Sequence, residues 1–263
     1  MTSLLQQARN DALAIFNAGL KAVAPREAIE RFCQRQGDVL TIGEEAYDLK
    51  SYENIYLIGA GKATAPMAVA FEHLLGANLT SGVITVKYGH IAPLKKVETI
   101  EAGHPVPDKN GEIGSAKILE VAHSANTNDL CICLLSGGGS ALLPLPVPGV
   151  SLADKQEATR VLLACGATIH EINTLRKHLS GVKGGRLAEA ARPATLVSLI
   201  LSDVVGDDLD AIASGPTVPD NSTFHDCLHI VSKYGISDRL PQSVIKHFQD
   251  GLSDRAYETP KAD

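Results

Sequence analysis

The sequence predicts an α/β protein, a doubly wound and mostly parallel sheet with helices on both faces. Three observations carry this. Short β-rich runs, "NIYLIGAG", "GVITVKYG", "KVETIEAG", "DLCICLL" and "ATLVSLILSD", alternate with segments of helical spacing. Several of these runs are nearly continuous in apolar residues, as strands buried on both faces are. Most strand ends also run into glycine, as turns that feed a helix do.

In chain order, Leu4, Leu5, Ala8, Ala12, Ile15, Phe16 and Leu20 recur at spacings near three and four, which predicts a first helix. "APREAIERFCQRQ" reads as a second helix with Pro25 at its beginning. "NIYLIGAG" and "KATAPMAVAFEHLL" then form a strand–turn–helix unit. Two further strands precede a helix in "NGEIGSAKILEVAHSAN" and the strand "DLCICLL". Helices follow in "SLADKQEATRVLLACGA", "IHEINTLRKHLS" and "GGRLAEAA", before the apolar strand "ATLVSLILSD". "VVGDDLDAIASGPTVPDNST" reads as a long irregular loop, a feature more often functional than decorative. Helices in "FHDCLHIVSKYG" and "PQSVIKHFQD" complete one domain over residues 1–250, and the polar stretch 251–263 reads as a linker or tail.

Composition narrows the function. A chain of 263 residues with 44% hydrophobic residues supports a normal core, and a formal net charge of -6 argues against a nucleic-acid footprint. Local cations could still bind a small anion. The 5 cysteines include no C-x-x-C pair, so neither a zinc site nor a disulfide framework is expected. Arg9 and Asp11 interrupt any secretory apolar core, and no run offers the roughly 18 uncharged apolar residues of a membrane helix. The expectation is a cytoplasmic protein with no membrane or nucleic-acid partner.

Four strand ends are chemically loaded. In "IGAGKATAP", Gly59 and Gly61 precede Lys62 at a helix start, where amides and an ammonium suit a phosphate or carboxylate. A tight turn with a surface lysine is the plain alternative. The dinucleotide fingerprint fits poorly, with Thr64 in place of its third glycine and Lys87 ending the next strand where an acid would hold a ribose. In "LLSGGGSALL", Ser136, Gly137, Gly138, Gly139 and Ser140 resemble an anion nest, and the alternative is again a turn. Neither a Walker A loop nor a G-x-S-x-G elbow is present.

"INTLRKHLSGVKGGRLAEA" places Arg176, Lys177, Lys183 and Arg186 close together beside Gly184 and Gly185, which reads either as a polyphosphate patch or as a solvated basic face. "LSDVVGDDLDAIASGPTVPD" sets Asp203 at a strand end with Asp207, Asp208 and Asp210 following. Asp203 and Asp207 are candidates to hold Mg²⁺ or to act as general base toward a hydroxyl. His104 in "EAGHPVPD" sits in a loop after a strand, either touching ligand or hydrogen-bonded to backbone.

The ordered set "GAGKA", "EAGHPVPD", "LLSGGGSALL", "INTLRKHLSGVKGGRLA" and "LSDVVGDDLDAIASGPTVPD" resembles the N-terminal domain of the glycerate 2-kinase family, whose C-terminal part is called the MOFRL domain. The resemblance spans about residues 5–255. It implies a Rossmann-like domain and ATP-dependent phosphorylation of D-glycerate at its 2-hydroxyl, with Mg²⁺. It further implies Lys62 as an essential lysine, Gly61 and Ser136 to Ser140 around the anion, Arg176, Lys183 and Arg186 in the basic motif, and Asp203 and Asp207 in the acidic one. Family members extend well beyond a segment like "YETPKAD", so a cleft against a second domain, low activity of this chain alone and a homodimer through uncovered apolar surface are expectations. An NAD(P)H-dependent hydroxypyruvate reductase is the alternative reading.

Overall fold

The computed structural model describes residues 3–262; the outermost ends of the expected ranges 1–250 and 251–263 lie outside them. Ser3 caps the first helix by accepting the Gln6 amide, and α1 (Leu4–Ala22) carries the expected apolar stripe. None of its residues is buried, and Leu4, Leu5, Ile15, Phe16 and Leu20 are exposed. Pro25 opens α2 (Pro25–Phe32), which stops short of the predicted end. Residues after Phe32 instead form β1 (Cys33–Gln36), β2 (Val39–Ile42) and β3 (Glu45–Asp48), an antiparallel three-stranded sheet. The signal was present: the run Val39–Ile42 lies between two Gly-containing pairs, Gly37–Asp38 and Gly43–Glu44, that close two-residue hairpins.

The main sheet follows the predicted alternation. It comprises β4 (Asn54–Ala60), β5 (Ser81–Lys87), β6 (Val97–Ala102), β7 (Asp129–Ser136) and β8 (Thr195–Leu201). Its strands are parallel, in the order β6-β5-β4-β7-β8. Every residue of β7 is buried, which is why "DLCICLL" lacks an alternating pattern. One face packs on α2, α3 (Thr64–Leu75) and the small sheet through Leu57, Phe71 and Leu134. The other packs on α4 (Lys109–Ser124), α5 (Gly139–Leu142) and α8 (Arg186–Ala191) through Ile118, Leu142 and Leu187. A second core holds together α6 (Leu152–Ala164), α7 (Ile169–His178), α9 (Phe224–Lys233) and α10 (Gln242–Leu252).

The chain runs outward from β4 through β5 to β6, then returns to β7 on the other side of β4. Strand order therefore reverses between β4 and β7, and in open α/β sheets ligands bind beyond the strand ends at that reversal. The segment read as a linker is partly docked: Thr259 is buried with its hydroxyl donating to Asp220 at 3.0 Å, and His178 Nε2 lies 2.7 Å from Glu258.

Candidate active site

β4 and β7 end side by side, and their loops are stitched together. The Lys62 amide donates to the Gly137 carbonyl at 2.9 Å, and the Gly61 amide donates to Thr85 at 3.1 Å. Ser136 is buried, its Oγ accepting the Ala63 amide at 3.0 Å and sharing a bond of 3.1 Å with the Thr64 hydroxyl. Gly61 and Ser136 thus build the turn into α3, with amide and hydroxyl both engaged inside the protein. The dinucleotide reading loses ground for the same reason, since Thr64, in the third glycine's place, is buried and bonded.

Beyond Ser136 the picture changes. Among the described residues, the amides of Gly137, Gly138, Gly139 and Ser140 donate to no protein oxygen. Four successive free N–H groups form the concavity that binds anions. Gly138 makes it possible by its left-handed backbone, φ 89°. A Cβ there would lie 3.0 Å from His104 Nε2 and 3.4 Å from Lys62 Cε, and one on Gly137 would collide with the Asp203 carboxylate. Lys62, His104 and Asp203 therefore crowd the glycine loop. The Lys62 ammonium has no hydrogen-bond or ion-pair partner among the described residues. His104 makes no backbone hydrogen bond there either, contrary to one of the two expectations for it. Burial, aided by Lys62 and Lys87, lowers its pKa against the opposing pull of Asp203.

The loop opens into a cleft of about 990 Å³ whose far wall is built by α6 and α7. Lys155, Gln156, Thr159 and Arg160 on α6 and His170, Asn173 and Arg176 on α7 line it at helical spacing. Gln156 ties this wall to the His104 loop by donating to the Pro107 carbonyl at 2.7 Å. Asn173, Ser214 and Ser140 form a hydroxyl–amide chain across the floor, with Ser140 Oγ 2.9 Å from Ser214 Oγ and Ser214 Oγ 3.2 Å from Asn173 Oδ1.

The basic motif divides. Arg176 lines the cleft, and burial lowers its pKa. Lys177 turns to Asp210 and Asp220. Lys183 lies at the cleft floor, but its ammonium donates to the Ser140 and Leu143 carbonyls at 2.9 and 2.6 Å, capping the end of α5. Arg186 does not line the cleft; its guanidinium donates to the Tyr257 carbonyl at 2.9 Å. A single helix cannot aim successive cations one way, and two glycines with positive φ at 184 and 185 turn the chain before Arg186.

In the acidic motif Asp203 and Asp208 line the cleft, whereas Asp207 does not. Asp207 is held in a left-handed turn, φ 52°, that carries it away. Nothing in the sequence marks Lys155, because a lysine inside an ordinary helical pattern gives no local sign of burial. Among the described residues no group of three or more His, Cys, Asp or Glu gathers as a metal site. Mg²⁺ asks for only one or two protein carboxylates when phosphate and water supply the rest, and Asp203 beside the free amides fits that demand.

Fold and site together define an α/β protein with a cleft, bordered by unpaired backbone amides and by cations, at the reversal point of its sheet. The chain belongs to the family described as Domain of unknown function (DUF4147), whose model matches residues 11–249. The glycerate 2-kinase of Pyrococcus horikoshii is 42% identical over 255 residues, covering 97% of this chain and 57% of its own. A crystal structure of a protein from Pyrococcus horikoshii OT3 superposes with a TM-score of 0.90 over 97% of this chain and 58% of that one, at 42% identity. A crystal structure of glycerate kinase from Thermotoga maritima gives 0.82 over 98% and 57%, again at 42% identity. These relatives support the glycerate 2-kinase resemblance read from the motifs, and the chain spans a little over half of their length.

Proposed function

We propose that the cleft transfers the γ-phosphoryl group of ATP to the 2-hydroxyl of D-glycerate. The observation that carries this reading is the run of four free amides at residues 137–140, flanked by an unpaired Lys62 and by Asp203. Phosphoryl transfer needs little covalent help from a protein; it needs positioning and charge neutralisation. Here Gly137, Gly138, Gly139 and Ser140 cradle phosphate oxygens, Lys62 neutralises their charge, and Arg176 on the opposite wall takes the glycerate carboxylate. Asp203 would hold Mg²⁺, which when bound offsets phosphate charge.

Residues 1–250 act, in this proposal, as the N-terminal unit of a longer cytoplasmic enzyme with a MOFRL-type second unit that completes the cleft. The uncovered apolar stripe of α1 supports a homodimer, which sedimentation would reveal. Among the described residues no helix is long and apolar enough to cross a membrane.

The test pairs calorimetric titration of the chain with ADP and D-glycerate against an ADP-release assay with D-glycerate and MgATP. Binding that disappears in Lys62→Met is expected, with turnover low. Oxidation of NADH by hydroxypyruvate, or failure of both ligands to bind, would overturn the reading.

A further inference from the structure

Lys155 and Lys183 are each more than nine-tenths buried, and both lie with Arg176 along the cleft. Lys155 Nζ donates to the Pro144 and Leu145 carbonyls at 2.8 and 3.3 Å, just beyond the carbonyls that Lys183 holds. Two buried ammonium groups therefore grip the strand of chain that follows the glycine loop, and both feel the charge of Arg176. Among the described residues none of the three cations forms an ion pair with a carboxylate. Glu112 on α4 is the acid whose charge reaches Lys155, and it is paired with Lys109 at 3.1 Å. On its own helix, Asp154 is engaged by Ser151 and Glu157 by Arg160. Buried charge without a counter-charge is costly, and proteins that keep it generally use it.

We infer that Lys155, Arg176 and Lys183 form an oxyanion subsite whose counter-ion is the ligand. This deepens the kinase reading and rests on it only for the identity of the anion, a carboxylate or a phosphoryl group. Burial, and then Arg176, hold the Lys155 pKa down at about 7, against the opposing pull of Glu112. Near neutral pH the ligand-free site therefore carries this lysine partly uncharged. An arriving oxyanion favours the ammonium, whose proton comes from solvent, and no bond is made or broken.

Titration calorimetry at pH 7.5 in buffers of different ionisation enthalpy measures proton uptake. The ligands are D-glycerate and, as a phosphoryl stand-in, sulfate, because neither titrates near neutrality. Uptake of roughly half a proton or more is expected for whichever anion occupies the subsite, given a lysine titrating near 7. Lys155→Arg stays charged at every accessible pH, so it should bind with similar affinity and take up fewer protons than the parent, Lys183 being also held down by burial. Lys155→Met should likewise take up fewer and bind at least tenfold more weakly.

Binding of both anions without proton uptake, uptake undiminished in both variants, or anion affinity unchanged in Lys155→Met overturns the subsite while leaving the kinase reading intact. Absence of binding by both anions overturns the two together.

Discussion

The hydroxyl of Ser136 separates two accounts of the glycine loop. If it faces a ligand, Ser136→Ala costs affinity and little stability; the structure requires the reverse. Ser136 is 1% exposed, and its Oγ is the acceptor for the Ala63 amide at the start of α3 and the partner of Thr64 Oγ1. Alanine would leave one buried amide without an acceptor and one buried hydroxyl to find another, at about 1–3 kcal/mol for a stranded group. The hole left is one oxygen atom in size, so cavity cost is minor. A total near 2 kcal/mol lowers the melting temperature of a chain this long by roughly 4–8 °C. Urea unfolding of both proteins, with ADP affinity measured alongside, decides the matter. A stability change under about 0.5 kcal/mol together with a tenfold loss of affinity would refute the reasoning.

Gly138→Ala should lower both quantities, since φ 89° costs alanine about 1–2 kcal/mol and its methyl would press on His104; unchanged sulfate affinity would deny the nest its role. The folded-state pKa of Lys155 lies near 7, below the ordinary 10.5. Its penalty is therefore full below 7 and relieved as pH rises toward 10.5, so ligand-free stability should climb with pH. Between pH 7.5 and 8.5 that climb should be about 1 kcal/mol smaller in Lys155→Met, with parallel urea-denaturation curves contradicting it. Burial alone would raise the Glu258 carboxyl, but His178 and the Phe224 and Thr259 amides outweigh it and hold it at about 2. That stabilisation is present above about 4.5 and fades as pH falls toward 2. Acid unfolding of Glu258→Gln, followed by circular dichroism, should accordingly be less steep in this window than in the parent.

Much of this architecture is written locally. An uninterrupted apolar run such as "DLCICLL" announces a strand buried on both faces, and "SGGGS" directly after it marks a place where backbone must be reached. What such patterns omit is direction. Ser136 and Gly137 are neighbours and both line the cleft, yet the Ser136 hydroxyl is bonded to the start of α3 while the Gly137 amide has no partner among the described residues. Arg176 and Arg186 belong to one basic stretch, but past the turn through Gly184 and Gly185 Arg186 bonds to the Tyr257 carbonyl and only Arg176 of the two lines the cleft. Asp207 and Asp208 differ by one position in a loop without periodicity, so nothing in the sequence marks which faces inward. Lys155 carries no such mark either, because its burial is decided by α7 and the 144–145 carbonyls, none of them near it in the helix pattern.

The cleft floor shows how the irregular loop after β8 is put to use. Ala213, Ser214 and Gly215 occupy left-handed backbone in succession, with φ of 52°, 61° and 59°. For the first two, each such residue costs on the order of 1–3 kcal/mol, which local preference would never choose. Surrounding contacts over-determine it: the Ser214 carbonyl accepts the Gly184 amide at 3.1 Å, and its hydroxyl joins Ser140 to Asn173. Ala213 meanwhile sits so close to Gly139 that a methyl there would lie 2.8 Å from its Cβ. The strained turn thus presses against the underside of the glycine loop while Lys183 holds α5 from its far end. Four amides stay unpaired because α5 is fixed at both ends and cannot turn them inward. A loop free to relax would satisfy those donors internally, and an anion would then have to displace them.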